Sequence, residues 1–414
     1  MGYSKSADDA SVVLTGLGAV TAAGWGVGAL REALRSGHTA IGPFDRIPHA
    51  GQRTHIAGQV PLRRAFDAGR RFRWDRLSNS DAFSVFAAGE ASAQAGLPVG
   101  RLGPTAGVFF GSTTGGLFET ETCFDSMVHR PDARPSVRPL ASHMCSSPAD
   151  TVAKFLGVEG PVETISSACA SGGMAIEQAL RALRSGEVDV AIAGGADCLC
   201  LTTYSGFNAL RAVDPSPCRP FRRERAGLSL GEGGAVLIFE TAKHARERRA
   251  QPLARLLGAG SSCDAKHMTA PHPAGRGAAE AIGGALNDAG LTPAAIDLVS
   301  AHGTGTQLND SAEWAALRAV FGDRAAELPV EAIKGVVGHL LGAAGAVQAV
   351  STILAITHGE LHPVPGGGTI DPTAAARVVF ESAEPMPHLR TALSISLGFG
   401  GANVAIVFGK AVAP

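Results

Sequence analysis

Charge of either sign is almost absent as a net quantity: 36 basic residues face 37 acidic ones in 414, a balance of −1. Neither nucleic acid nor an anionic membrane surface attracts such a chain strongly, so general binding to either is not expected. No stretch of about 18 apolar residues occurs, which argues against a membrane-spanning helix. Cysteine is scarce and odd in number, seven in all, and residues 1–10 are polar rather than leader-like. Reduced thiols in the cytoplasm are therefore expected, not a disulfide framework. Several ligand motifs each lack one part. Gly16-Leu17-Gly18 follows an apolar strand, but Thr21 stands where a dinucleotide fingerprint needs its third glycine. Cys198 and Cys200 have no second pair at zinc-ligand spacing. Pro365-Gly366-Gly367-Gly368-Thr369 has no lysine between glycines and threonine, so it reads as a loop and not a phosphate cradle. No cofactor and no metal are expected.

Apolar and small residues are what the chain has in quantity: 45% is apolar and 53 residues are glycine. Such a length buries a large core and fits two domains or one duplicated unit. Duplication is the reading taken here. The first half, 1–253, runs from an apolar strand at Val12 to the strand 236–240. The second, 254–414, runs from the strand 254–258 to 404–408. Each holds strand, loop, small-residue helix and closing strand, with a charged connector at 243–255.

The segment Thr164-Ile165-Ser166-Ser167-Ala168-Cys169-Ala170-Ser171-Gly172-Gly173 sets a thiol where a β-branched stretch stops and a helix begins. Met174, Ile176, Ala179, Leu180 and Leu183 recur at three and four residue spacing, which predicts a helix over 174–186. Residues 188–195 then read as a buried strand. A thiol at a helix start feels unpaired N–H groups and the positive end of the dipole, which favour thiolate. On this segment alone a buried structural cysteine fits equally well.

Two histidines sit where glycine crowds a strand end: His302 in Ala301-His302-Gly303-Thr304-Gly305-Thr306, and His339 in Lys334-Gly335-Val336-Val337-Gly338-His339-Leu340-Leu341-Gly342. Glycine beside each allows close approach of backbone or ligand. The other eleven, such as His38, His129, His244 and His388, are expected at the surface or in loops.

Taken in order, these segments resemble the elongating β-ketoacyl synthases, the Cys-His-His condensing enzymes of type II fatty-acid and polyketide systems. Further landmarks are Val13-Leu14-Thr15-Gly16-Leu17-Gly18, Gly194-Gly195-Ala196-Asp197, Pro220-Phe221, Gly231-Glu232-Gly233 and Gly398-Phe399-Gly400-Gly401-Ala402-Asn403. The resemblance implies a thiolase-type α/β fold, layered αβαβα, in two pseudo-duplicated halves. It implies Cys169 as the acyl-carrying nucleophile and the backbone N–H groups of Cys169 and Phe399 as oxyanion donors. It further implies His302 and His339 as neutral donors to an enolate, with Lys334 and Glu313 expected to pair beside them. Phe399 is the expected gate, Gly398 and Gly400 its hinges, and Thr304, Thr306 and Phe207 substrate contacts. Thiolases carry a second reactive cysteine near the C-terminus, and none follows Cys263 here.

Two departures bear on the substrate. Thr114, in Gly111-Ser112-Thr113-Thr114-Gly115-Gly116, stands where fatty-acid elongators have an apolar residue, so a hydroxyl in the acyl pocket is expected. Serine and asparagine in Leu77-Ser78-Asn79-Ser80-Asp81 replace a basic pair, leaving Arg70, Arg71, Arg73, Arg76 and Arg211 for carrier docking. The resemblance implies a separate acyl carrier protein as partner and a dimer, with itself or with a chain-length-factor subunit. A Cys-dependent acyltransferase or hydrolase, and a non-catalytic ketosynthase-like subunit, are the alternatives.

Overall fold

The computed structural model describes residues 11–48, 50–62, 66, 73–129, 136–374 and 377–411. One mixed sheet of 11 strands dominates it. In chain order its main strands are β1 (Val12–Thr21), β2 (Ala106–Gly111), β3 (Val162–Ile165), β4 (Val190–Asp197), β5 (Gly233–Thr241), β6 (Ala254–Cys263), β7 (Leu298–Ser300), β8 (Val330–Glu331), β9 (Thr391–Leu397) and β10 (Ala402–Lys410). The spatial order is β8-β7-β9-β10-β6-β1-β5-β4-β2-β3, with the short strand Gly24–Trp25 paired to β1 off this path.

Read outward from its middle, that order repeats itself. β2 lies parallel to β3 and β4, while β4–β5 and β5–β1 are antiparallel. In the same way β7 lies parallel to β8 and β9, while β9–β10 and β10–β6 are antiparallel. The copies join where β1 meets β6 antiparallel.

Helices fill three further layers. Helix α1 (Asn79–Ala95) packs on β1 and β5, and α2 (Ser147–Leu156) on β2, covering the outside of the first half. Helix α3 (Ser171–Ser185) touches β2 and β4 on one side and β6 and β10 on the other. Helix α4 (Arg276–Asp288) covers β6 and β10, with α5 (Gln307–Phe321) packed against it. Helix α6 (Ala344–His358) lies beside α3 in the middle layer and touches β9, β4 and β5. With the two halves of the sheet on opposite sides of the central helices, the layers are the five that the resemblance implies.

The two central helices approach closely because their contact is made of small residues: a Cβ on Gly172 would lie 2.7 Å from Ala346 N. Thirteen of the 15 residues of α6 are buried, so Val347, Val350, Ile353 and Ile356 each contribute about 1.5–3 kcal/mol by leaving water. The stretch Leu341–His358 is apolar and long enough to cross a membrane, yet 89% of it is buried in the protein. It is a core helix, buried on nearly every side because both sheet halves cover it.

Candidate active site

The chain leaves β3 and turns sharply into α3, and Cys169 sits in that turn. Ala168 takes a left-handed φ of 48°, a conformation that costs an L-residue about 1–2 kcal/mol. Ser171 holds the turn: its hydroxyl accepts from Ser167 N at 2.8 Å and donates to Ala168 O at 2.6 Å. Helix α3 begins at Ser171 with Ala170 as its cap, so the thiol lies just outside the first turn.

Cys169 is 6% exposed, and this corrects the expectation of a thiolate. Burial pushes the thiol up to about 11, against the pull of the Lys334 charge and the N–H of Phe399, with Asp197 adding to the rise and its own N–H opposing it. Both N–H groups expected to serve an oxyanion thus already favour negative charge on Sγ. Gly398 makes the approach of Phe399 feasible, because a Cβ there would lie 3.0 Å from Ser167 O and 3.2 Å from Ala170 N. Of the two expected hinges only Gly400 has a positive φ, 80°; Gly398 is extended and answers to space.

The second half brings up the imidazoles. β7 ends at Ser300, and His302 follows with its N–H donating to Glu313 Oε1 at 2.6 Å and that of Gly303 to Oε2 at 2.8 Å. Lys334 Nζ donates to His302 O at 2.5 Å and lies 3.4 Å from His302 Nδ1. The expected Lys334–Glu313 ion pair is therefore not formed. The carboxylate is spent on two backbone N–H groups and the ammonium on a backbone carbonyl, so the two grip the His302 segment from opposite ends.

His339 is held by β-type pairing with 229–231, donating to Ser229 O at 2.7 Å and accepting from Gly231 N at 2.8 Å. Its Nδ1 accepts the Leu341 N–H at 3.1 Å, which leaves the ring proton on Nε2. The two rings are 5.4 Å apart and nearly perpendicular. Burial first, and the Lys334 charge next, lower both imidazoles well below 6.5, so both are neutral at pH 7.

Cys169, His302 and His339 line one cavity of about 340 Å³. Thr304, Thr306, Phe207, Gly398 and Phe399 line it too. Phe207 stacks on Phe399 at 5.6 Å. The Thr306 hydroxyl also caps α5 by accepting from Asn309 N at 3.3 Å, a turn-stabilising task that coexists with facing the cavity. Lys334 and Glu313 lie behind the lining.

Thr114 is a correction. It does not line the cavity: its hydroxyl donates to Asp197 Oδ1 at 2.9 Å and accepts from Cys198 N at 3.2 Å. Asp197, a landmark without a role in the sequence, also takes Ser112 Oγ, Thr113 N and Oγ1, Thr114 N and, at 2.6 Å, Gly342 N. It ties the loop after β2 to the turn after His339, and a hydroxyl-rich loop is what a buried carboxylate requires.

Among the remaining histidines, His362 lies in the loop after Leu361 but is 1% exposed and pairs with Glu331 at 2.7 Å, so it is buried and not at the surface. Of the arginines expected for docking, Arg211 lines the cavity and is exposed, Arg73 pairs with Asp75, and Arg70 and Arg71 lie outside the described residues. Gln348 was not anticipated. Its signal was available: it is an amide on a helix otherwise built of small and apolar residues.

Comparison with known proteins agrees with this geometry. The profile of the beta-ketoacyl synthase N-terminal domain matches residues 9–245 and that of the C-terminal domain residues 253–367. The 3-oxoacyl-[acyl-carrier-protein] synthase 2 of Synechocystis sp. is 34% identical over 410 residues, 96% of this chain and 98% of that protein. The ishigamide ketosynthase/chain length factor structure superposes with a TM-score of 0.90 at 33% identity, covering 97% of this chain and 99% of that one. A type II PKS acyl-carrier protein in complex with its ketosynthase bound to the hexaketide gives 0.86 at 29%, covering 97% and 99%. With both domain profiles spanning most of its length, the chain belongs to the β-ketoacyl synthase family.

Proposed function

We propose that the protein is an elongating ketosynthase that joins an acyl group held on Cys169 to a malonyl unit carried by a separate acyl carrier protein. One observation carries the reading: a thiol beneath two backbone N–H groups shares a cavity with two neutral imidazoles. In the first half-reaction Sγ attacks the thioester carbon of the acyl carrier. The bond to the pantetheine sulfur breaks, and the proton leaving Cys169 ends on that sulfur. The N–H groups of Cys169 and Phe399 hold the tetrahedral oxyanion.

In the second half-reaction the malonyl thioester loses CO2 and its electron pair passes to the thioester oxygen. Neutral His302 and His339 donate N–H to that oxygen without the cost of burying imidazolium. The enolate carbon then bonds to the acyl carbon, Sγ departs as thiolate and takes a proton from solvent, and the product is a β-ketoacyl carrier two carbons longer. Lys334 and Glu313 keep His302 in position, Thr304 and Thr306 offer hydroxyls to the pantetheine arm, and Phe207 with Phe399 closes the acyl entrance. We read the chain as halves 1–253 and 254–414, each supplying part of this site.

The same system, polyketide, polyene or fatty-acid, would operate in the cytoplasm with a dimeric synthase. Support for a dimer comes from β3, which ends the sheet with one edge unpaired among the described residues, and from exposed Phe124, Val128, Val137 and Met144. Solved relatives include a ketosynthase/chain length factor pair and a ketosynthase with its acyl carrier. Exposed Arg211 at the cavity suits an acidic carrier.

Intact-protein mass spectrometry tests the proposal. Acyl carriers should leave an acyl mass on the wild type and none on Cys169→Ala, and added malonyl carrier should remove it as a product two carbons longer. An adduct released only by water would make the protein a hydrolase, and no adduct with any carrier would make it a non-catalytic subunit.

A further inference from the structure

Lys334 is 1% exposed and, among the described residues, makes no ion pair. Its ammonium rests on neutral acceptors: His302 O at 2.5 Å, Gln348 Oε1 at 3.3 Å and His302 Nδ1 at 3.4 Å. The carboxamide of Gln348 can be oriented only one way. Its nitrogen lies 2.8 Å from both Ser300 O and Ile395 O and 3.2 Å from Ser394 Oγ, and carbonyl oxygens only accept. Its oxygen therefore faces Lys334. Gln348 is itself fully buried on α6, where an amide costs free energy unless both ends are bonded, as both are here.

We propose that Gln348 is a positioning residue for the condensation: its uncharged oxygen holds the Lys334 ammonium against the His302 carbonyl and Nδ1, so that the His302 ring keeps its proton on Nε2. The inference rests on the ketosynthase reading. It explains why a buried lysine stays with histidine and not with the nearest carboxylate, which is occupied by two backbone N–H groups. The charged and titratable groups facing Lys334 are Glu313 and Asp310 from α5, Cys169 and Cys218, and the imidazoles of His302 and His339. Burial lowers Lys334 to about 8, with Glu313 the largest opposing influence. Deprotonation across that pH removes the donor to Nδ1, and activity resting on it falls as pH rises.

The deciding measurement is the pH dependence of malonyl-carrier decarboxylation by the full-length protein, in wild type, Gln348→Met, Gln348→Glu and Lys334→Met. A wild type that decarboxylates no malonyl carrier would overturn the ketosynthase reading itself. With wild type active, the alkaline limb of kcat should move down by about one pH unit in Gln348→Met and up by about one unit in Gln348→Glu. KM should stay within about twofold in both. Adding Gln348→Met to Lys334→Met should change the rate less than about twofold, since the amide acts through the lysine. An unmoved limb in both variants, or a loss in Gln348→Met that persists undiminished without Lys334, overturns the inference. If Gln348→Met does not fold, the size-matched Gln348→Glu decides it alone by whether its limb moves.

Discussion

The two halves of the molecule arrive at the cavity by matching topology and equip it in opposite ways. In the first half, strand β3 turns into a central helix, and what it delivers is a thiol, a strained alanine and the Cys169 N–H, the Phe399 N–H arriving from the second half. In the second, the turn before α6 and the loop after β7 deliver imidazoles backed by buried ionisable side chains: Lys334 and Glu313 are 1% and 0% exposed. One half fixes an acyl group by covalent chemistry and backbone geometry. The other manages charge. A duplicated fold can thus divide a two-step reaction between its copies, because the same strand-to-helix junction accepts either a nucleophile or a proton donor.

Breaking one side should leave the other's half-reaction running. Cys169→Ala is expected to abolish the acyl adduct and condensation, a loss beyond about 10⁴-fold, while malonyl-carrier decarboxylation survives within about tenfold. Release of CO2 against adduct mass separates the two. The reciprocal change, His302→Ala or His339→Ala, should lower decarboxylation about 10²–10⁴-fold by removing a donor to the enolate, with acyl transfer onto Cys169 kept within about tenfold. Equal loss of both half-reactions in all three variants would dissolve the division.

A third test concerns charge at the thiol. With Cys169 raised to about 11 by burial, its thiolate fraction grows about tenfold per pH unit below that value. Alkylation of the Cys169 peptide, followed by mass spectrometry, should accelerate about a hundredfold between pH 7 and pH 9. A rate already at its plateau at pH 7 would mean that the helix start, and not burial, governs this half.

The second half also buries a polar pair away from the cavity. Glu331 accepts from Ser351 Oγ at 3.1 Å and meets His362 at 2.7 Å, both partners at or below 1% exposure. His362→Leu leaves the buried Glu331 side chain short of a hydrogen-bond partner and should cost about 1–3 kcal/mol in chemical denaturation. The double change with Glu331→Leu should recover most of that. No comparable loss is expected from Arg181→Leu on α3, whose 2.6 Å bond to Glu177 lies half in solvent with the arginine side chain 68% exposed.

Much of this was legible in the sequence because the carriers of chemistry are local: a thiol after a β-branched run, and histidines beside glycine at strand ends. The five-layer fold came with the family resemblance that those motifs carry. What could not be read is which polar side chains meet across distance. Lys334 and Glu313 have the right charges to pair, but two backbone N–H groups near His302 outbid the lysine for that carboxylate. Thr114 occupies the expected loop, yet Asp197, 83 residues on, turns its hydroxyl inward. His362 lies among turn residues, and only folding reveals Glu331 beneath it. Periodicity reports burial, whereas the choice of hydrogen-bond partner is settled by competition among groups brought together afterwards.

The smallest expected effect falls where the halves touch. Phe207 comes from the first half and Phe399 from the second, and their rings stack at 5.6 Å with 25° between planes. Such a pair is worth about 0.5–1.5 kcal/mol beyond its burial. Phe207→Ala should therefore free Phe399 and change the acylation rate of Cys169 by about two- to tenfold, with decarboxylation nearly unchanged. The direction discriminates: faster acylation means that the stack holds the entrance shut, slower acylation that it holds the Phe399 N–H over the sulfur. Rapid-quench acylation of the variant with short and long acyl carriers separates these. A gate would relax the dependence on chain length, whereas a misplaced donor would slow every acyl group alike, because the oxyanion is the same for all of them.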